Sequence, residues 1–153
     1  MKKKYFLLAL SVSMFACKQP FVSEKTVAFS KHAWNAAYKP WIKIEIADTA
    51  SLYNIFAVIR HTQGFRYNNL LLNYSFISPG DTAITTKVNL PLGENKNWYG
   101  DTLGDIIETR VKLNTKPQKL KAGNNGFVLE QLMPENPLQN ILNVGVRVEK
   151  VNE

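Results

Sequence analysis

Few side chains in this chain have types and positions suited to chemistry, and the first is a thiol. Cys17, the only cysteine, ends an apolar run in S-M-F-A-C-K-Q-P, residues 13–20. A lone cysteine has no internal disulfide partner, so its use is either acylation or that of a stray thiol beside a cleavage site. M-F-A-C resembles a bacterial lipobox, whose cysteine is acylated and becomes the first mature residue. Ala16 fits the last position before cleavage, while Met14 and Phe15 stand where a leucine and a small residue are usual. Ordinary signal cleavage after Ala16 would place the bulky Met14 at −3, which fits worse. The expectation is a lipid, of palmitate type, on Cys17. Several acyl chains at ~0.8 kcal/mol per buried methylene hold a protein firmly to a bilayer without a transmembrane helix.

The remaining candidates give weaker signals. His32 and His61, the only two histidines, have no paired spacing for a metal. The G-x-S-x-G, P-loop, G-x-G-x-x-G and H-E-x-x-H patterns are absent. Two readings of His61 stand: a general base beside Asp48 or Ser51, or a hydrogen-bonded loop histidine. In N-W-Y-G-D-T-L-G-D, residues 97–105, Asp101 and Asp105 do not have the spacing of an EF-hand. Trp98 and Tyr99 in that loop suit a stacking platform for a sugar or a partner; alternatively Trp98 folds back as a lid over one end of the domain. No catalytic set, metal site or cofactor is expected, and an acylated Cys17 is not a nucleophile.

The elements that position these residues read as β. Lys2–Lys4 followed by Y-F-L-L-A-L-S-V-S-M-F-A form a secretory leader, residues 1–16, too short to span a bilayer. The leader holds three lysines and no acid, so its loss lowers the net charge from +7 to +4. That mild excess, without basic residues interleaved with aromatics, argues against nucleic acid as a partner. Residues 17–30 read as a lipidated tether, or a tether running into a first edge strand, and 31–153 as one domain. In W-I-K-I-E-I, Ile42, Ile44 and Ile46 alternate with Lys43 and Glu45, the period of a half-buried strand. Further strands are predicted at 52–60, 69–77, 83–90, 106–113, 126–132 and 142–150. S-P-G-D turns the chain between 77 and 83, and residues 134–142 could hold one helical turn. Seven or eight short strands imply an all-β antiparallel sandwich, jelly-roll or immunoglobulin-like.

An ordered set of segments adds a resemblance. W-I-K-I-E-I-A-D-T, Y-N-I-F-A-V-I-R-H, Y-N-N-L from Tyr67, W-Y-G-D-T-L-G-D-I and N-I-L-N-V-G-V-R-V-E-K from Asn140 together resemble the gliding-motility lipoprotein GldH family. The likeness runs over about residues 34–150. It implies an outer-membrane lipoprotein of surface-crawling bacteria, needed for the gliding machinery and its associated secretion system. It implies Cys17 as the anchor, other envelope proteins as partners and no catalytic residue. After Cys17, K-Q-P-F-V-S-E lacks the acidic cluster that resembles a surface-export signal, which favours the periplasmic face. Asp48-Thr49-Ala50, Asp81-Thr82-Ala83 and Asp101-Thr102-Leu103 resemble the O-glycosylation site of such bacteria, and all three fall at predicted turns. Asp-Thr is also simply a good turn starter. The rival class is a lipid-anchored carbohydrate-binding module, with Trp98, Tyr99 and Trp41 stacking on sugar rings.

Overall fold

The computed structural model describes residues 21–95 and 97–151. Cys17 and the leader 1–16 lie outside the described residues. Eight long strands carry the fold: β1 (Val22–Ala28), β3 (Trp41–Ile46), β4 (Tyr53–Thr62), β5 (Asn69–Ile77), β6 (Ile84–Pro91), β10 (Ile106–Lys112), β11 (Gly123–Gln131) and β13 (Ile141–Lys150). Short strands fill the connections: β2 (Ala33–Trp34), β7 (Gly93–Glu94), β8 (Asn97–Trp98), β9 (Asp101–Leu103) and β12 (Leu138–Gln139). One sheet runs β1-β13-β4-β10-β9 and the other β3-β11-β5-β6, every pair antiparallel.

That order decides the connectivity. The first long strand lies beside the last, and the second beside the second-last, in opposite sheets. A ribbon of antiparallel pairs wound in this way gives the two Greek keys of a jelly roll rather than an immunoglobulin-like sandwich.

Burial follows the period of two. Ile42, Ile44 and Ile46 are buried while Trp41, Lys43 and Glu45 are exposed, because successive side chains leave a strand on opposite faces. Facing them across the sandwich are Ile55, Ala57 and Ile59 of β4 and Val144, Val146 and Val148 of β13, with Leu70, Leu72, Phe127 and Leu129 completing the core. Each valine, leucine, isoleucine and phenylalanine among these contributes about 1.5–3 kcal/mol on burial. The outer face of the five-stranded sheet is charged instead. Arg60, Arg110 and Arg147 share Glu24, Glu108 and Glu149 across β1, β13, β4 and β10, with Arg147 Nη1 3.2 Å from Glu24 Oε2.

Residues 22–28 form an edge strand of the sheet, the second of the two readings of the 17–30 segment. Two expectations change. Residues 134–142 hold no helical turn: Leu138 and Gln139 pair with Trp34 and Ala33 instead. The only helical segment among the described residues is a 3-10 turn at Ser30–His32. The strand count rises from seven or eight to thirteen among the described residues, the five additional strands being two or three residues long.

Candidate interaction surface

The 97–105 segment is built on the far end of β4. Gly93 and Glu94 pair with Trp98 and Asn97, and a Cβ at Gly93 would lie 2.9 Å from Trp98 Cε3 and 2.7 Å from the Asn97 carbonyl. Glycine at 93 therefore lets the indole fold back. It meets His61 edge to face at 4.5 Å between centroids, and Phe65 at 6.3 Å. Gly100 then runs against β10, where a Cβ would sit 2.1 Å from the Glu108 carbonyl oxygen. Beyond it, β9 returns through the two-residue turn Gly104-Asp105 into β10, with Gly104 at φ 64 as such a hairpin requires at its first turn position.

This geometry separates the two aromatics. Trp98 is half-buried and caps one end of the core, the lid reading. Tyr99 is 51% exposed, its hydroxyl donating to Glu94 Oε2 at 3.3 Å, and Leu103 at the hairpin tip is 83% exposed. Trp41 is remote from both. It lies on the outer face of the four-stranded sheet, its indole against Gly126 and the Lys43 ammonium 4.7 Å from its centroid. The structure does not bring Trp98, Tyr99 and Trp41 together as one sugar platform.

His61 lies in a strand, not a loop, and is fully buried. Nδ1 donates to the Thr62 carbonyl at 2.9 Å, Nε2 has no partner among the described residues, and burial lowers the imidazole pKa. The ring is therefore neutral. Asp48 and Ser51 precede the opposite end of β4, about 26 Å away along a strand rising ~3.3 Å per residue, so no base pairs with them. Asp48 instead accepts from the Ala50 amide, the Ser51 hydroxyl and the Lys150 ammonium, and these bonds, Lys150 first, hold its carboxyl well below the usual range. No group of three or more His, Cys, Asp or Glu side chains suited to a metal occurs among the described residues. Asp101 and Asp105 lie on either side of the hairpin turn.

Thr49, Thr82 and Thr102 are all exposed. Asp48 makes the turn bond that the plainer reading of Asp-Thr requires, to the Ala50 amide at 2.9 Å. Asp81 pairs with Lys121 at 2.7 Å. Thr102 departs from expectation by lying within β9 rather than in a turn.

Comparison with known proteins bears on this surface. The sequence profile of the GldH lipoprotein family matches residues 21–148. The chain belongs to the GldH lipoprotein family. It is 25% identical over 129 residues to the gliding motility lipoprotein GldH homolog of Christiangramia forsetii, covering 79% of this chain and 80% of that one. It is 25% identical over 159 residues to gliding motility lipoprotein GldH of Flavobacterium johnsoniae, covering 97% of each. Among solved structures it is similar to dimeric latent PorU from Porphyromonas gingivalis (TM-score 0.41, 9% identity, 88% of this chain) and to the VP2 subviral particle of infectious bursal disease virus (TM-score 0.38, 13% identity, 88% of this chain). The chain spans 13% of the first structure's length and 34% of the second's. Membership places the chain among lipid-anchored proteins of the cell envelope that serve gliding motility. No reaction is attached to the family's name.

Within this GldH-family domain the ends of the sandwich differ. The described chain starts at Phe21, whose ring packs edge to face on Tyr53 at 6.0 Å and whose carbonyl accepts from the Lys150 amide. Tyr53 begins β4 and Lys150 ends β13, whereas Trp98, Tyr99 and the 104–105 turn sit by His61 at the other end of β4. Sequence reasoning had no signal for this polarity, because it depends on which strands pair across the whole chain.

Proposed function

We propose that this protein is a non-catalytic docking module, held by lipid on Cys17 to the periplasmic face of the outer membrane, that binds other envelope proteins of the gliding and secretion machinery. The observation that carries it is the polarity of the fold. Val22 lies five Cα steps after Cys17, and at ~3.3–3.6 Å per extended residue that stretch reaches at most about 18 Å. The end that holds Phe21 and Lys150 then faces the bilayer, and Tyr99 with Leu103 projects away from it, toward partners. Exposed aromatic and aliphatic side chains at a rigid tip suit an interface anchor.

The test is genetic and direct. Deletion of the gene is expected to stop cell spreading, wild type to restore it, and Cys17→Ala to fail while losing the label of an alkyne fatty acid. Tyr99→Ala with Leu103→Asp is expected to impair spreading without loss of the folded protein. A deletion strain that spreads normally, with a purified protein that binds polysaccharide tightly, would overturn this reading in favour of a carbohydrate-binding module.

A further inference from the structure

The sandwich does not close on one side. Inward positions of β5 and β6 (Tyr74, Phe76, Ile84, Thr86) and, from the other sheet, Ile55 and Leu113 line an open cleft of about 560 Å³. Leu70 and Leu72 show which face of β5 points inward, and Phe76 pairs with Ile84 as Tyr74 does with Thr86. Yet Ile84 is 67% exposed, although its face of the sheet is elsewhere the core. An apolar side chain in a core position with nothing over it marks a missing layer.

Both edges beside this cleft are open. β6 ends its sheet, and β9 covers β10 only along Ile106–Glu108, so no strand pairs the outer edge of β10 from Arg110 to Lys112 among the described residues. The wall after β10 is fixed rather than loose. Leu113 donates its amide to the Ile55 carbonyl at 2.8 Å, Asn114 accepts from the Ile55 amide at 2.8 Å, and its Nδ2 donates to the Tyr53 carbonyl at 3.0 Å. The Tyr74 hydroxyl makes no hydrogen bond among the described residues. Two lysines border the opening: Lys87, exposed on the outer face of β6 opposite Asn73, and Lys116, exposed in the wall; neither has an ion-pair partner among the described residues.

We propose that this opening is a slot for an extended strand of a partner protein, alternately apolar and acidic. The strand pairs with the free edge of β6, sets its apolar side chains into the cleft and offers its alternate carboxylates to Lys87 on the outer face, with Lys116 in the wall adding positive charge. A free edge supplies backbone pairing, and a row of alternate pockets supplies selectivity. A second copy of the chain is disfavoured. Antiparallel pairing of two β6 strands brings Lys87 of each toward the other, and like charges across a ladder repel. The proposal rests on the docking reading above and adds to the Tyr99–Leu103 tip a second contact near the Tyr53 end of β4, where Asn114 and Gln118 are bonded to Tyr53.

The test uses the lipidated protein in detergent micelles and a synthetic peptide of about nine residues, a common strand length, alternating valine or phenylalanine with glutamate. Amide hydrogen exchange and peptide affinity are measured. The peptide is expected to protect amides of β6, a block-scrambled peptide of equal composition to protect none, and Ile84→Asp to weaken binding about tenfold or more. Glu45→Ala, on the exposed face of β3 at the other edge of that sheet, should bind as wild type does. Absent protection, equal binding of the scrambled peptide, protection that rises with protein concentration alone, or the same protection from anionic phosphatidylglycerol vesicles would each overturn the slot. In cells, normal spreading with Ile84→Asp where deletion abolishes it would remove the slot and leave the docking reading standing. A deletion that spreads normally removes both.

Discussion

Gly100 and Gly80 show how differently one residue type is held. A Cβ at Gly100 would collide with the Glu108 carbonyl at 2.1 Å, a backbone atom that cannot retreat without parting β9 from β10. Gly80, at φ 79 in the S-P-G-D turn, has nothing within 4 Å of such a Cβ. Gly100→Ala should therefore cost about 2 kcal/mol or more, several degrees in Tm, whereas Gly80→Asn should cost well under 1 kcal/mol, since asparagine tolerates the left-handed region. Thermal unfolding of the two variants checks this, and equal losses would show that the crowding at Gly100 is relieved cheaply. His61 makes the pH prediction. Burial lowers its folded pKa below the ordinary 6.5, so beneath that pH the unfolded chain takes up a proton that the folded chain refuses. Stability is fullest above about pH 7, declines as pH falls through 6.5 and levels off below the folded pKa. His61→Phe keeps a ring against Trp98 and should abolish that slope. Denaturant unfolding at several values between about pH 5 and 7 measures it, and a slope unchanged in the variant would assign the titration elsewhere.

At the scale of elements, strands with one buried and one wet face were legible and contact-dependent ones were not. β3 and β13 announce themselves by alternating isoleucine or valine with polar residues, and β5 and β6 by the turn between them. β7, β8 and β9 have two or three residues each, too few for a period, and exist because β7 and β8 pair with each other and β9 with β10. Leu138 and Gln139 looked helical in P-E-N-P-L-Q-N-I-L because spacing cannot reveal that Trp34 and Ala33, a hundred residues earlier, supply their partners. The candidate site was legible to the same degree. Trp98 and Tyr99 stood out by type, but which of them turns inward depends on His61, and no local pattern contains that. The Asp-Thr elements carry their own prediction. Thr49 and Thr82 are exposed between strands and Thr102 lies exposed on β9, so each can accept a bulky O-linked glycan without disturbing the core. Intact mass of the mature protein is expected to exceed peptide plus lipid, and Thr49→Val, Thr82→Val and Thr102→Val to remove the excess stepwise. A mass matching peptide plus lipid alone would reject the sites and leave Asp-Thr as turn chemistry.

The whole molecule is polar along its strands, and its last prediction concerns distance from the membrane. The sandwich presents Phe21 and Lys150 at one end and the 104–105 hairpin at the other, and β4 between them has ten residues, about 33 Å at ~3.3 Å each. With the lipid on Cys17, a tether of about 18 Å at most fixes the height at which Tyr99 and Leu103 meet a partner. Docking that depends on this height should weaken when the tether lengthens, because a flexible insert spreads the domain over a larger volume and lowers its effective concentration at the partner. Ten Gly/Ser residues inserted after Pro20 add a root-mean-square reach of about 17 Å, nearly doubling the range. The insert precedes β1 and touches no described contact, so Tm and fatty-acid labelling should stay at wild-type values while spreading falls. A shorter insert of two or three residues should have a smaller effect of the same sign. Wild-type spreading with the long insert would mean that the anchor only retains the protein at the membrane, and that the orientation of the jelly roll above it carries no part of the function.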